Sequence, residues 1–241
     1  MRIMFSSCCE TGFYREQNED AVLTCAEDGL GMFLVADGMG GLNKGEVASG
    51  MLRNGFMALW QEKLQPGRYT LGFREGLELI ETELIRINHE IVAHFGTYET
   101  GSTLVLLYVS GPYCACLSCG DSRIYRKRGF RVDQLTQDDT IENRLGNEDD
   151  PEEAGKLVEA VGLEERIAYS LNTDRVKHGD LYLLCSDGVY RFVPPGKLKQ
   201  LLFTGAMASS QEGTIRALVK CVERGGAGDN FSAVAVRVSK E

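Results

Sequence analysis

The chain lacks any uninterrupted apolar run that approaches the roughly 20 residues a transmembrane helix needs. Its formal net charge is -9, so neither nucleic acid nor an anionic membrane is expected as its main partner. A strand-like pattern begins at the first residues and leaves no room for a signal peptide. We therefore expect a cytoplasmic protein whose eight cysteines are reduced thiols.

No linker rich in proline, glycine or serine divides the 241 residues, which predicts one domain with one large core. Two helical patterns follow the first strands, a block of short strands comes next, and two helices and a strand close the sequence. Short connections between successive strands are typical of antiparallel neighbours. This order of elements indicates an α+β protein with two stacked, mainly antiparallel sheets and helices outside them.

Three aspartates stand at the ends of strand patterns. Five consecutive apolar residues, Met32 to Ala36, end at Asp37 and predict a strand that is buried on both faces. A second such pattern ends at Asp187, and a third begins just after Asp229. If these strand ends meet, their like charges are unfavourable without a cation, and oxygen ligands favour a hard divalent ion such as Mg²⁺ or Mn²⁺. The alternative is that each aspartate only caps a turn.

Six short motifs follow one another along the chain: Gly12-x-x-Arg15-x-x-Asn18-Glu19-Asp20-Ala21, Val35-Ala36-Asp37-Gly38-Met39-Gly40-Gly41, Gly101-Ser102-Thr103, Cys119-Gly120-Asp121-Ser122-Arg123, Leu184-Cys185-Ser186-Asp187-Gly188 and Gly228-Asp229-Asn230-Phe231-Ser232. Each motif alone is a weak signal. In this order and spacing they resemble the metal-dependent protein phosphatases of type 2C, and in particular the bacterial members, over nearly the whole chain.

The resemblance implies a four-layer α-β-β-α sandwich, with two ions of Mn²⁺ or Mg²⁺ at one end of the paired sheets. By this resemblance Asp37 bridges both ions and the Gly38 carbonyl joins the second. Asp187 and Asp229 bind the first ion. These four positions are the implied metal ligands.

The resemblance also implies roles around the two ions. Glu19 and Asp20 would hold water molecules bound to the metal. Asp121, together with Asp187, would form the weaker third metal site of bacterial members. Arg15 would grip the substrate phosphate with its planar guanidinium group.

The implied activity is hydrolysis of phosphoserine and phosphothreonine in phosphorylated proteins, in opposition to a serine/threonine kinase. Paired divalent ions acidify water, so the resemblance implies in-line attack by water without a covalent phosphoenzyme. Met39 stands where many eukaryotic relatives carry a histidine, and the resemblance therefore assigns no general acid. We expect the protein to be a monomer.

The segment from about 138 to 162 is irregular and carries crowded acids, Glu148, Asp149, Asp150, Glu152 and Glu153. Relatives show Asp-His-Ser where this chain has Asp138-Asp139-Thr140. We predict that the segment forms a mobile surface flap.

Two other functions compete with metal-dependent hydrolysis. The motif Cys185-x-x-Gly188-x-x-Arg191 has the spacing of a cysteine-dependent phosphatase loop. However, the negative charge of Asp187 would repel both a thiolate at Cys185 and a bound phosphate. The other alternative is a catalytically inactive, phosphatase-like module that regulates or binds phosphoproteins. Every carboxylate that the resemblance assigns to metal binding is present, which argues against a site that has lost its catalytic activity.

Overall fold

A computed structural model describes residues 1–40, 44–65, 71–145, 155–208 and 210–239. Its strands are β1 (Arg2–Glu10), β2 (Asp20–Glu27), β3 (Leu30–Gly40), β4 (Thr100–Ser102), β5 (Leu104–Ser110), β6 (Tyr113–Cys119), β7 (Arg123–Arg128), β8 (Arg131–Gln134), β9 (Ser170–Arg175), β10 (Leu181–Cys185) and β11 (Phe231–Ser239). Its α-helices are α1 (Gly45–Leu59), α2 (Phe73–Phe95), α3 (Ile141–Leu145), α4 (Asp187–Tyr190), α5 (Pro195–Met207) and α6 (Glu212–Arg224), and a π-helical turn, Trp60–Leu64, continues α1.

The strands form two antiparallel sheets. The first sheet has the order β1-β11-β10-β7-β8, and the second has the order β2-β3-β5-β6-β9. Strand β4 pairs with the end of β3, from Gly38 to Gly40. The first and last strands of the chain are neighbours, since Arg2 lies opposite Ser239.

Three apolar clusters separate four layers. The sheets pack face to face through fully buried side chains such as Phe33 and Val35 from β3 and Leu184 from β10. Helices α1 and α2 cover the outer face of the second sheet, and α5 and α6 cover the outer face of the first. The predicted α-β-β-α sandwich is confirmed.

The two-sided burial of β3 explains its continuous apolar sequence. Phe33 and Val35 point towards the other sheet, whereas Met32, Leu34 and Ala36 point towards the helices. Side chains alternate between the two faces of a strand, so a strand in the middle of four layers needs apolar residues at every position. The same alternation divides β10 between the two sides of its sheet.

Some predicted boundaries differ from the structure. The sequence pattern from Ile167 to Leu171 predicts a strand, but the structure has it three residues later, at Ser170–Arg175, because β9 is an edge strand with exposed polar side chains. Capping patterns at Asn43 and Ser209 predict the starts of two helices, and both residues, like Gly41, lie outside the described residues. Among the helices that the structure describes, none is both long and apolar enough to cross a membrane.

The predicted flap is held by the body of the protein at both of its described ends. Asp139 and Gly120 exchange two hydrogen bonds of 3.0 Å, one through the Asp139 backbone N–H and one through its carboxylate. Val161 is fully buried and exchanges backbone hydrogen bonds with Ser102. The acidic residues from 148 to 153 lie outside the described residues, so a mobile flap stays a prediction.

A buried ion pair connects β7 to the turn before β10. Arg128 donates hydrogen bonds of 2.8 and 2.7 Å to the two carboxylate oxygens of Asp180, whose side chain is only 1% exposed. We expect Arg128→Met to lower the free energy of unfolding by about 3–5 kcal/mol, because the buried carboxylate of Asp180 would lose the positive charge that pairs with it. Urea unfolding measures this change.

The matched control is Arg131→Met, which removes an arginine whose side chain is 82% exposed and whose partner is Asp133. Its expected cost is about 0–1 kcal/mol. Equal effects of the two substitutions would show that burial of the Arg128 pair does not determine its contribution.

Candidate active site

The strand register brings the predicted acids to one end of the sandwich. Asp20 in β2 lies directly opposite Asp37 in β3. In the other sheet, β10 pairs with β11 so that Asp187, just after β10, and Asp229, just before β11, lie at the same end. The Ser186 hydroxyl donates a 2.9 Å hydrogen bond to Asp20 and so joins the two sheets at this point.

The electrostatics of the acids show that they lie in one place. The pKa of Asp37 is raised well above its usual range, first by burial and then by the negative charges of Asp20, Asp187, Asp121 and Asp229. Burial is also the main cause that raises the pKa of Asp20 to about 7 and that of Asp121 to about 6. Each carboxylate therefore opposes the ionisation of its neighbours.

Two arginines pair with these acids. The guanidinium group of Arg15 contacts both carboxylate oxygens of Asp229. Nε lies 2.8 Å from Oδ1, and Nη2 lies 3.0 Å from Oδ2. Arg191 places Nη2 3.0 Å from an oxygen of Asp187 and 3.7 Å from an oxygen of Asp121. Arg191 lies in the sequence motif of a cysteine-dependent loop. Its spacing of four residues from Asp187 on a helix was the signal for this ion pair.

Hydrogen bonds from the neighbouring strands fix the backbone at Asp37. Its N–H donates to the Thr103 hydroxyl at 3.1 Å, and its carbonyl accepts from the Thr103 N–H at 2.8 Å. The next residue, Gly38, donates its N–H to the Glu19 carbonyl at 3.0 Å. A Cβ at this position would overlap the carbonyl oxygen of Gly45, so only glycine fits between β2 and α1.

Asn230 holds the loop that carries Arg15 and Glu19. Its side-chain oxygen accepts the Glu19 N–H at 3.0 Å, and its amide donates to the carbonyls of Thr11 and Gln17 at 2.8 and 2.9 Å. The residue is only 5% exposed. Asn230 lies within one of the six sequence motifs, but its role cannot be predicted from the motif because its three partners are distant in sequence.

The chemistry of the acids fits a divalent cation. Asp37, Asp187 and Asp229 offer hard oxygen donors, and their crowding is relieved by positive charge. The buried Oδ1 of Asp20 has no hydrogen-bond partner among the described residues. As placed, no three acidic, histidine or cysteine side chains in the described part of the chain are arranged to hold an ion. Arg15 and Arg191 engage two of the carboxylates, so an ion would have to replace these arginines.

The structure argues against a nucleophilic Cys185. The residue is fully buried on the helix side of β10, and burial raises the pKa of its thiol well above its usual value. A thiol with a raised pKa is a poor nucleophile. Arg191, which would have to hold a phosphate beside it, instead pairs with Asp187 and Asp121.

Sequence comparison shows that the chain is similar to protein phosphatases. The model of a family described as protein phosphatase 2C matches residues 15–223. Serine/threonine protein phosphatase PstP of Mycobacterium tuberculosis is 28% identical over 243 residues, which cover 98% of this chain and 45% of that protein, so the chain spans about half of that relative's length. Protein phosphatase PhpP of Streptococcus pneumoniae is 27% identical, with 96% of each protein covered.

Comparison with solved structures shows that other proteins share this fold. PppA of Pseudomonas aeruginosa, described as a key regulatory component of T6SS, has a TM-score of 0.83 and 30% identity over 98% of both chains. The catalytic domain of serine/threonine protein phosphatase PstP in complex with two manganese ions has a TM-score of 0.80 and 26% identity over 99% of both chains. The likeness thus extends over almost the whole chain.

Replacement of Asn230 tests its role as the anchor of this loop. We expect Asn230→Ala to destabilise the protein by about 1–3 kcal/mol, because a buried N–H and two carbonyls lose their partner. Hydrogen exchange of the amides from residues 11 to 20 should become faster, with little change in the helices. The control is Asn172→Ala, which removes an exposed side chain with one 3.5 Å contact. Unchanged exchange in residues 11 to 20 would contradict the assigned role.

The raised pKa of Asp20 predicts a pH dependence of stability in the presence of a chelator. Between pH 4 and 7 the folded state keeps a proton that the unfolded state has released, since the pKa is about 7 when folded against a usual value of 3.8. Folding is therefore favoured at the low end of this window, and stability falls as the pH rises to about 7. Asp20→Asn should flatten this fall in urea unfolding measured from pH 5 to 8.

The control for this pH series is Asp133→Asn, which changes a carboxylate in β8 that is far more exposed than Asp20. It should keep the wild-type slope. A slope that is equally steep in Asp20→Asn and in the wild type would contradict the predicted contribution of Asp20.

Proposed function

Because the chain belongs to the protein phosphatase 2C family, we propose that it is a metal-dependent protein serine/threonine phosphatase that hydrolyses phosphoserine and phosphothreonine. The observation that carries this proposal is the convergence of acids from both sheets on Asp37, whose pKa is raised by burial and by four neighbouring carboxylates. We propose further that residues 1–241 form one catalytic domain. The named phosphatases among its relatives support this activity.

The proposed metal ligands are the carboxylates of Asp37, Asp187 and Asp229 and the carbonyl of Gly38. They would hold two ions of Mn²⁺ or Mg²⁺, and the similarity to the manganese-bound catalytic domain of PstP supports this choice. Bound divalent ions supply Lewis acidity, which acidifies water and offsets charge on the phosphoryl oxygens. Hydrolysis would then proceed without a covalent intermediate on the protein.

The outer carboxylates would orient water around the ions. Asp20 is held by the Ser186 hydroxyl through one oxygen, while its other oxygen is buried and free to accept a hydrogen bond. Glu19 is fixed through its backbone by Asn230 and Gly38. Such outer partners position ligands and their waters, and their loss typically costs about 10–100-fold in metal affinity or activity.

Arg15 would bind the substrate phosphate. Its side chain is 50% exposed at the mouth of the site, and its planar fork matches two phosphate oxygens as well as it matches the two oxygens of Asp229. When Asp229 binds a cation, the guanidinium group can move from the carboxylate to the phosphate. The phosphate would then be held by a positive charge that is always present at physiological pH.

The proposed substrates are phosphorylated proteins, and the proposed counterpart is a serine/threonine kinase. We propose that the enzyme acts as a monomer in the cytoplasm. The acidic net charge of -9 favours protein partners over nucleic acid or an anionic membrane.

Hydrolysis of a phosphothreonine peptide with and without Mn²⁺ tests the proposed function. We expect turnover that depends on Mn²⁺ and stops with chelator, and a loss of roughly a hundredfold or more in kcat/KM for Asp187→Asn, because one metal ligand is weakened. The matched control is Cys185→Ser, a neighbour on the same strand end, which should keep activity within a few-fold of the wild type.

The same assay separates the alternatives. Activity that survives chelation but is lost in Cys185→Ser would support the cysteine-dependent mechanism. Tight binding of Mn²⁺ without turnover of any phosphopeptide would support a module that only binds phosphoproteins. Either result would overturn the proposed function.

A further inference from the structure

Arg191 lies between two carboxylates that come from different parts of the chain. The short helix α4 begins at Asp187, and the backbone N–H of Arg191 donates to the Asp187 carbonyl at 3.0 Å. This turn of helix brings the guanidinium group back over the acid at its start. The same nitrogen, Nη2, lies 3.0 Å from Asp187 and 3.7 Å from Asp121, so one positive charge serves both carboxylates.

The position of Asp121 is rigid. Its side chain is only 8% exposed, and the Tyr190 hydroxyl donates to its carbonyl at 3.1 Å and to its carboxylate at 3.2 Å. The Arg123 guanidinium group lies 3.6 Å above the Tyr190 ring and is itself held by Asp138 through three hydrogen bonds. The oxygen that contacts Tyr190 is also the one nearest to Arg191. Asp121 therefore cannot turn away from Arg191 without disturbing this network.

Arg191 itself can move more easily than the acids. Its side chain is 55% exposed, whereas the side chains of Asp187 and Asp121 are 14% and 8% exposed. Displacement of the guanidinium group into solvent opens no apolar core. The two acids would remain close together, and a second positive charge would then have to offset their repulsion.

We propose that Arg191 and a third divalent ion compete for the carboxylates of Asp121 and Asp187. This inference rests on the proposed function, since it assumes that Asp187 is also a ligand of the catalytic ions. A guanidinium group and a divalent ion cannot share the same two carboxylates at close range, because their positive charges repel. The charge on Arg191 therefore weakens the third metal site.

Counting bound ions tests this competition without any measurement of activity. Mn²⁺ is titrated by calorimetry into the chelator-treated, dialysed 241-residue protein and into Arg191→Met, which keeps a long side chain but loses the charge. We expect two tighter ions in both proteins, and a third binding event that is at least roughly tenfold tighter in Arg191→Met, because a nearby positive charge has been removed. Adding Asp121→Asn to Arg191→Met should weaken the third event again.

Two further variants complete the design. Arg216→Met removes an arginine that forms an ion pair of the same four-residue spacing, with Glu212 on the surface of α6, and should leave all binding events unchanged. Arg191→Gln is the second test variant if circular dichroism shows that Arg191→Met is not folded. It should also tighten the third event.

The possible results distinguish this inference from the proposed function. A third event that is no tighter in the charge-free Arg191 variants, or that is insensitive to Asp121→Asn, overturns the competition while two bound ions leave the proposed function intact. A wild-type protein that binds no Mn²⁺ overturns the proposed function, and the competition with it. Higher KM for a phosphopeptide in Arg191→Met with unchanged ion binding would instead make Arg191 a substrate contact and would contradict the inference.

Discussion

The repulsion between carboxylates gathered at one end of the sandwich is the constraint on which the rest of the site depends. Asp37 lies at its centre, and burial and four acidic neighbours raise its pKa. Bringing such groups together costs free energy unless positive charge or protons accompany them. A fold that needed these acids only for stability would gain from replacing them with apolar residues. Their presence is therefore explained by what they can bind.

The scaffold holds this unfavourable arrangement by placing Asp37 and Asp187 directly after buried strand segments, with Asp37 itself still inside β3. Asp37 follows a run of β3 that is fully buried on both faces, and Asp187 follows a similar run of β10. A side-chain hydrogen bond then joins the two sheets, from the Ser186 hydroxyl to the Asp20 carboxylate. Groups on strands move less than groups on free loops, so Asp20 and Asp37, which lie opposite each other on β2 and β3, cannot relieve their repulsion by moving apart.

The parts of the structure that the sequence predicts well are those with strong local signals. The continuous apolar run before Asp37 predicts two-sided burial because alternate residues face a sheet and a helix layer. The edge strand β9 was placed too early, because its exposed polar residues do not carry that signal. The role of Asn230 cannot be predicted from local sequence, because its partners come from tertiary contacts and one of them, Thr11, is 219 residues away. Arg191 carries a local signal for its pair with Asp187, four residues earlier, but its contact with Asp121 depends on the tertiary fold.

Charge balance links the two arginines to the function of the acids. Arg15 neutralises Asp229 and Arg191 neutralises Asp187, so the described structure already pairs two of the proposed metal ligands with monovalent cations. Divalent ions in the same place would carry more charge and would be held by several acids at once, which favours exchange of arginine for metal. The exchange would release Arg15 at the mouth of the site, where a phosphate would arrive. On this proposed function, the Arg15 guanidinium group and a divalent ion compete for the carboxylate of Asp229. Arg15 therefore becomes available to bind the phosphate only when the ions that drive hydrolysis are bound.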